Sequence, residues 1–332
     1  MYTFFMKKIL FCLLLVTCFT SYSVFSLEPA TALYRGEEYS IFVTYTEVVQ
    51  PGDPVIVKMD FEPNKELSKE NYSETKAVLV FEDKTKSDFF DLEGNAKRNS
   101  NTPLTLCALL PLSTWQNAGA YTVTVMYSAY GRDYKKFSLP ISIEKKDFVS
   151  ETIELDSKNT DIKTDVSPAR MNQIERLNDI LFTVDSASVY LNSAFVPPTT
   201  ATRRTSFFGD RRVYAYTGGG SSTSLHYGID YGIPTGSEVT ACGQGRVVMA
   251  ENRISTGWSI VIEHLPGVYS LYYHMDSLTV EKGDMVKQGT LIGYSGATGL
   301  ATGPHLHWEV RVNGNAVNPD FFVSDEFPFF EK

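Results

Sequence analysis

The shortness of the apolar runs in the first part of the chain most limits what it can fold into. Tyr39–Tyr45, Val55–Phe61, Ala77–Phe81, Leu104–Leu109, Tyr121–Tyr127 and Lys136–Ile143 are rich in β-branched and aromatic residues. Each falls short of the roughly ten to twelve residues a helix needs, and each suits a strand. Turn residues separate them, as in Gln50-Pro51-Gly52-Asp53-Pro54 and Asn117-Ala118-Gly119, where proline presets φ and glycine accepts conformations closed to other residues. An all-β sandwich is expected over residues 27–150, its aromatics serving as core. No catalytic cluster stands out there.

Gly119-Ala-Tyr121-Thr-Val123 resembles the tyrosine corner of immunoglobulin-like domains, with Val123 where a disulfide cysteine would otherwise sit. At 332 residues the chain has length for two domains. Its 43% hydrophobic and 21% charged residues exclude collagen, long disorder and a coiled coil. A net charge of −9 argues against a nucleic-acid partner, which requires a basic face.

The N-terminus has the layout of an export signal: Met6-Lys7-Lys8, an apolar run from Ile9 to Val16, then small and polar residues to Ser26. Residues 1–26 are read as a signal peptide, which places the protein in the periplasm or cell envelope. The apolar run is too short to be retained as a membrane anchor. A lipoprotein signal acylated at Cys18 stays open, although Thr17 fits it poorly, and membrane attachment is expected only in that case. Cleavage after Ser26 removes two lysines and no acid, which takes the charge from −9 to −11. Cys107 and Cys242 then remain and read as small buried apolar residues, since one pair makes no disulfide framework.

Residues 151–198 turn polar and read as a linker with one amphipathic helix at about 168–184. Ser167-Pro168 supplies a cap with proline at the first helical position, and Met171, Ile174, Leu177, Leu181 and Val184 form a stripe. Val196-Pro197-Pro198 closes this stretch. Valines and isoleucines broken by Gly243, Gly245, Gly257, Gly283 and Gly289 then make residues 199–322 a second β region, before a tail at 323–332.

All five histidines, His226, His264, His274, His305 and His307, lie in this last region. His226-Tyr-Gly-Ile-Asp230 is a histidine and a carboxylate on a loop that runs into a short strand. In Pro304-His305-Leu306-His307-Trp308-Glu309-Val310 the two-residue period turns His305, His307 and Glu309 to one face and Leu306, Trp308 and Val310 to the core. A catalytic zinc site takes three protein ligands and an open position, which His226, Asp230 and one histidine of the pair can supply.

Ser206-Phe-Phe-Gly-Asp-Arg-Arg212, His226-Tyr-Gly-Ile-Asp230, Tyr273-His274-Met, Gly283-Asp284 and Thr298-Gly-Leu-Ala-Thr-Gly-Pro-His-Leu-His307 together resemble the M23 metallopeptidases, the LytM or lysostaphin-like family. The resemblance covers about the last third of the chain and implies a C-terminal antiparallel β-sheet peptidase domain there, which together with the N-terminal sandwich read above makes the chain mainly β. It implies one zinc ion on His226, Asp230 and His307, with His274 and His305 catalytic. The implied activity is a zinc endopeptidase that cuts peptides of bacterial peptidoglycan. The alternative is a non-enzymatic relative that activates another cell-wall hydrolase, a role taken by members with degraded metal sites. Glu309 is a candidate support for a histidine of its strand, and His264, before the turn at Pro266-Gly267, reads as structural. Asp210, Arg211 and Arg212 stand equally for groove residues and surface charge. Thr217–Leu225 reads as a mobile loop bordering the groove. The sandwich is expected to position the enzyme, through the wall or a cell-envelope protein partner, with a cover that holds the groove latent as the second reading.

Overall fold

The computed structural model describes residues 29–64, 75–93 and 104–323. The expected signal peptide, Cys18 and nearly all of the tail at 323–332 lie outside them. Among the described residues no helix is long and apolar enough to cross a membrane.

The described residues of the first part form ten strands: β1 (Ala30–Arg35), β2 (Tyr39–Tyr45), β3 (Val48–Val49), β4 (Pro54–Pro63), β5 (Lys76–Phe81), β6 (Thr85–Asp88), β7 (Phe90–Asp91), β8 (Leu104–Pro111), β9 (Gly119–Ser128) and β10 (Lys135–Ile143). They make two five-stranded sheets, ordered β1-β2-β4-β8-β7 and β3-β10-β9-β5-β6. Between them lies an apolar core that includes Ile41, Val57, Phe61, Leu79, Leu110, Val125 and Ile141. The Tyr121 hydroxyl donates to the Asn117 carbonyl at 3.1 Å, the return bond of a tyrosine corner.

β4 and β8 depart from simple alternation because both of their faces are covered. Val55, Val57 and Met59 enter the sandwich core, whereas Ile56, Cys107 and Leu109 pack outward with residues of the second half. Strands buried on both faces read as continuous apolar runs, as in Leu104–Pro111. Hydrogen bonds frame this contact: Asn318 Nδ2 donates to Asp53 Oδ1 at 3.0 Å and Arg211 Nη2 to the Thr114 carbonyl at 2.9 Å. Gly52 sits here at φ +92°, where a Cβ would strike the Phe208 ring. Cys107 and Cys242 are both buried free thiols.

The connecting stretch holds more structure than one helix. β11 (Ser150–Glu154) is followed by α1 (Ser157–Thr164) and α2 (Pro168–Leu181). α1 carries no apolar stripe, so periodicity could not reveal it; the Asp156 carboxylate caps it by accepting from Asn159 N. α2 has the expected Ser167 cap and Pro168 start. Its docking stripe is shorter than the sequence pattern: Leu177, Ile180 and Leu181 pack on Met249, Val261 and Tyr269, while Met171 and Val184 stay exposed.

The second half forms β12 (Arg204–Ser206), β13 (Arg211–Ala215), β14 (Ser221–Leu225), β15 (Gly228–Tyr231), β16 (Glu238–Thr240), β17 (Gly245–Arg253), β18 (Gly257–Leu265), β19 (Val268–Leu278), β20 (Met285–Val286), β21 (Leu291–Ser295), β22 (Leu306–Val312), β23 (Asn315–Val317) and α3 (Pro319–Val323). The large antiparallel sheet runs β12-β15-β22-β19-β18-β17-β20. β11 adds in parallel to β13, which pairs with β14. Thr217–Leu225 is therefore not one loose loop. Its glycines turn a hairpin and Ser221–Leu225 is a strand.

Candidate metal centre

β15 lies antiparallel to β22 with Asp230 opposite His307, so main-chain register alone brings one carboxylate beside one imidazole. The strands approach so closely that a Cβ at Gly228 would meet the Trp308 carbonyl. Leu306, Trp308 and Val310 of β22 are fully buried in the core, which turns His307 and Glu309 to the other face. His226 precedes β15 and is held by its own backbone N–H, which donates to the Asp210 carbonyl.

Three donor atoms converge. His226 Nε2 lies 3.0 Å from Asp230 Oδ1 and 3.0 Å from His307 Nδ1, and His307 Nδ1 lies 2.7 Å from Asp230 Oδ1. The hydrogen bonds on the far side of each ring define the chemistry. The other nitrogen of His226, Nδ1, donates to the Phe207 carbonyl at 2.8 Å, which leaves Nε2 with its lone pair. His307 Nε2 stands 3.1 Å from the Glu309 carboxylate; its N–H is spent there, and Nδ1 presents a lone pair inward. Three electron pairs facing one another at such distances repel unless a cation or proton lies among them. The same three residues form the His/Asp group among the described residues that could hold a metal ion.

The charges agree. Burial works against ionising Asp230, but its close contacts with the His226 and His307 rings, the second of them protonated when no metal is bound, hold its carboxyl well below the usual range. Burial likewise opposes charge on His307, yet Asp230 and Glu309 together raise it to about 9, so without a metal this ring takes the extra proton. Desolvation keeps His226 neutral by lowering its pKa.

Two further imidazoles face the same opening. His305 Nδ1 donates to the Gly303 carbonyl at 2.9 Å, and its Nε2 lies 3.8 Å from Asp230 Oδ1. His274 Nδ1 donates to the Thr298 carbonyl at 2.8 Å, and its ring centroid is 4.7 Å from that of His305. Simple alternation along β19 would turn His274 away from its neighbour Tyr273, whose ring stacks on His307 at 5.5 Å. A left-handed backbone at His274, φ +61°, re-aims it, at a cost on the order of 1–3 kcal/mol that concentrates at functional positions.

Around these groups runs a groove of about 320 Å3 whose walls include Tyr214, Leu225, Tyr227, Ser255 and Thr302. The connector adds Ile153, Leu155, Lys163 and Arg170 to the walls. α1 is tied to both sides: the Thr217 N–H donates to Thr160 Oγ1 at 3.1 Å, and Asn159 Nδ2 to the Ala301 carbonyl at 3.3 Å.

Sequence reasoning missed how the donors are supported. Arg212 donates to Asp230 Oδ2 at 2.8 Å and to Glu151 Oε1 at 2.9 Å, so a connector strand reaches the three converging donors through one guanidinium. Arg212 was legible only as one charge of the Asp210-Arg-Arg run, and nothing local marks Glu151. Asp210 is buried and closes a turn by accepting from Phe207 N, while Arg211 points to the sandwich. Arg311 donates to Glu309 at 2.7 Å and, against the cost of burial, helps hold that carboxyl at about 2. His264 stands apart: it is buried and bonded to the Gln244 carbonyl and Ser270 Oγ.

Residues 224–319 match the model of peptidase family M23. The DD-carboxypeptidase/endopeptidase Mpg of Neisseria meningitidis serogroup B is 42% identical over 95 residues, 29% of this chain and 22% of that protein. The peptidoglycan DD-endopeptidase ShyA of Vibrio cholerae is 40% identical over 116 residues, 35% of this chain and 26% of that protein. This chain thus spans about a quarter of the length of these curated relatives. A solved structure, a putative peptidase M23 from Pseudomonas aeruginosa, covers 82% of this chain and 94% of its own at TM-score 0.52 and 18% identity. At that identity the likeness is one of fold.

Proposed function

We propose, on the premise of the peptidase M23 domain that its C-terminal part carries, that this protein is a zinc-dependent endopeptidase of bacterial peptidoglycan peptides, exported to the periplasm or cell envelope. The reading takes residues 27–150, 151–198 and 199–322 as sandwich, connector and peptidase. The observation that carries it is the set of three lone pairs turned inward by His226, Asp230 and His307.

The donors fit zinc. Two imidazole nitrogens and one carboxylate oxygen are its borderline ligand set, whereas calcium and magnesium prefer oxygen alone. Tetrahedral bonds of roughly 2.0–2.1 Å set ligand atoms about 3.3 Å apart, a few tenths of an ångström wider than the donors stand here. His226, Asp230 and His307 would hold the ion. When bound, zinc supplies Lewis acidity, which acidifies water and polarises a carbonyl.

His274 and His305 do the proton work. Each has its Nδ1–H committed to a carbonyl, so each meets the substrate with Nε2 as an acceptor. An acceptor orients a water and takes its proton; only after taking it can that Nε2–H donate to the oxyanion or to the departing amine. The relatives' names as peptidoglycan enzymes support the substrate class.

The test is a digest of purified cross-linked peptidoglycan by the zinc-loaded chain lacking residues 1–26, read by mass spectrometry. New muropeptides, absent when His305→Ala replaces the native chain, are expected. A zinc-loaded native chain that releases none would contradict the reading.

A further inference from the structure

A second cleft, of about 240 Å3, opens between the sandwich and the C-terminal sheet and shares Leu225, His226 and Tyr227 with the metal groove. The two thus adjoin at the segment that carries a proposed zinc ligand. The cleft's sandwich side is the loop after β8, where Trp115 is 68% exposed. A tryptophan so open forgoes the burial that normally holds one in a fold.

Its orientation is nevertheless fixed. The Arg211 guanidinium lies against one face, 3.8 Å from the ring centroid, and Phe148 flanks the same guanidinium at 4.5 Å. Arg211 is itself pinned by the Gly209 and Thr114 carbonyls. The Trp115 N–H donates to Ser113 Oγ, which braces the loop. Tyr227 repeats the device across the cleft: it is 43% exposed, with Arg311 4.8 Å over its ring and that arginine tied to Glu309. Two aromatic rings, each backed by a locked guanidinium, thus stay open to solvent.

We propose that this cleft is a glycan subsite: Trp115 and Tyr227 stack on the C–H faces of N-acetylated amino sugars, and hold the sugar strand whose peptide enters the metal groove. Rings fixed in advance lose little freedom on binding, which suits a ligand whose contacts are individually weak. Thr85, Ser113, Thr114 and Asn315 line the same space and supply hydroxyl and amide groups for the sugar's polar edge. Among the described residues, the lining of the cleft carries no carboxylate. The substrate's sugar part, though not the cleft's affinity for glycan, rests on the peptidoglycan reading above.

The probe is chitotetraose, a soluble chain of N-acetylglucosamine, titrated into the full chain by calorimetry and tryptophan fluorescence. Saturable binding is expected, weakened about tenfold or more in Trp115→Ala and largely restored in Trp115→Phe. No saturable binding to the native chain, or an unchanged Kd in Trp115→Ala, overturns the subsite. A second arm compares cross-linked muropeptides carrying their disaccharides with the same peptides stripped of sugar. The native chain should show the lower KM for the sugar-bearing form, and Trp115→Ala should bring the two KM values together. Equal KM values in the native chain overturn the subsite and leave the hydrolase reading standing. Cleavage of neither form overturns the hydrolase reading, and chitotetraose binding then decides the subsite alone.

Discussion

The sandwich and the C-terminal sheet are built from the same kind of strand, but they bury different things. The core between the sandwich sheets is a cluster of apolar side chains, and Asp53, a buried carboxylate of the first half, lies in the turn before β4 where the two halves meet. The C-terminal sheet buries His226, Asp230, Glu263, His264, His274, His307 and Glu309, groups that cost free energy to desolvate unless each is partnered. Each carboxylate of this set is met by an arginine or imidazole: Asp230 by Arg212, Glu263 by Arg246, Glu309 by Arg311 and His307. The contrast locates chemistry where a fold of this size has no structural need for buried charge.

Substitutions should separate the two regions. The largest effect is expected for His305→Ala, which should lower kcat on the order of 10²–10⁴-fold while zinc content, measured by mass spectrometry of metals, stays at the native level. Leu79→Ala, in the middle of the sandwich core, should instead cost about 2–5 kcal/mol in thermal unfolding and leave kcat per folded molecule alone. A Leu79→Ala protein that is folded yet inactive would break the contrast.

The pH dependence sharpens it. Burial lowers His264 to about 4, so as pH falls through 6.5 the unfolded chain takes a proton that the folded chain refuses. The contribution of this ring should therefore lower stability between about pH 6.5 and 4, by roughly 3 kcal/mol, and change no further below. In His264→Gln, where an amide can keep the bonds to Gln244 and Ser270, melting curves across this range should show a shallower fall. An equally steep fall would assign the loss to other groups.

Arg212→Ala should have the smallest effect of these. It removes the support of Asp230 without removing a donor, and zinc affinity by competition with a chelator should weaken about 10–100-fold. Unchanged affinity would mean that β11 and Glu151 hold the connector in place without bearing on the metal.

What could be read from sequence followed from local periodicity. Leu306, Trp308 and Val310 alternate with His305, His307 and Glu309, so the two faces of β22 were legible, as were the Ser167-Pro168 start of α2 and the turn chemistry of the sandwich. Features that depend on a second segment were not. α1 has no apolar face to betray it, β8 is covered on both sides only because the second half packs on it, and the left-handed turn at His274 is imposed by its setting. Glu151 reaches Asp230 through Arg212, across 79 positions of chain that carry no shared pattern. Trp115 likewise reads as core in sequence and is open in the fold.

Zinc stoichiometry with X-ray absorption of the bound metal tests the central claim most directly. The account predicts one zinc per chain, ligated by nitrogen and oxygen at about 2.0–2.2 Å with imidazole scattering, and its loss in His307→Ala. Sulfur ligation, no zinc above background, or one zinc retained in His307→Ala would contradict it.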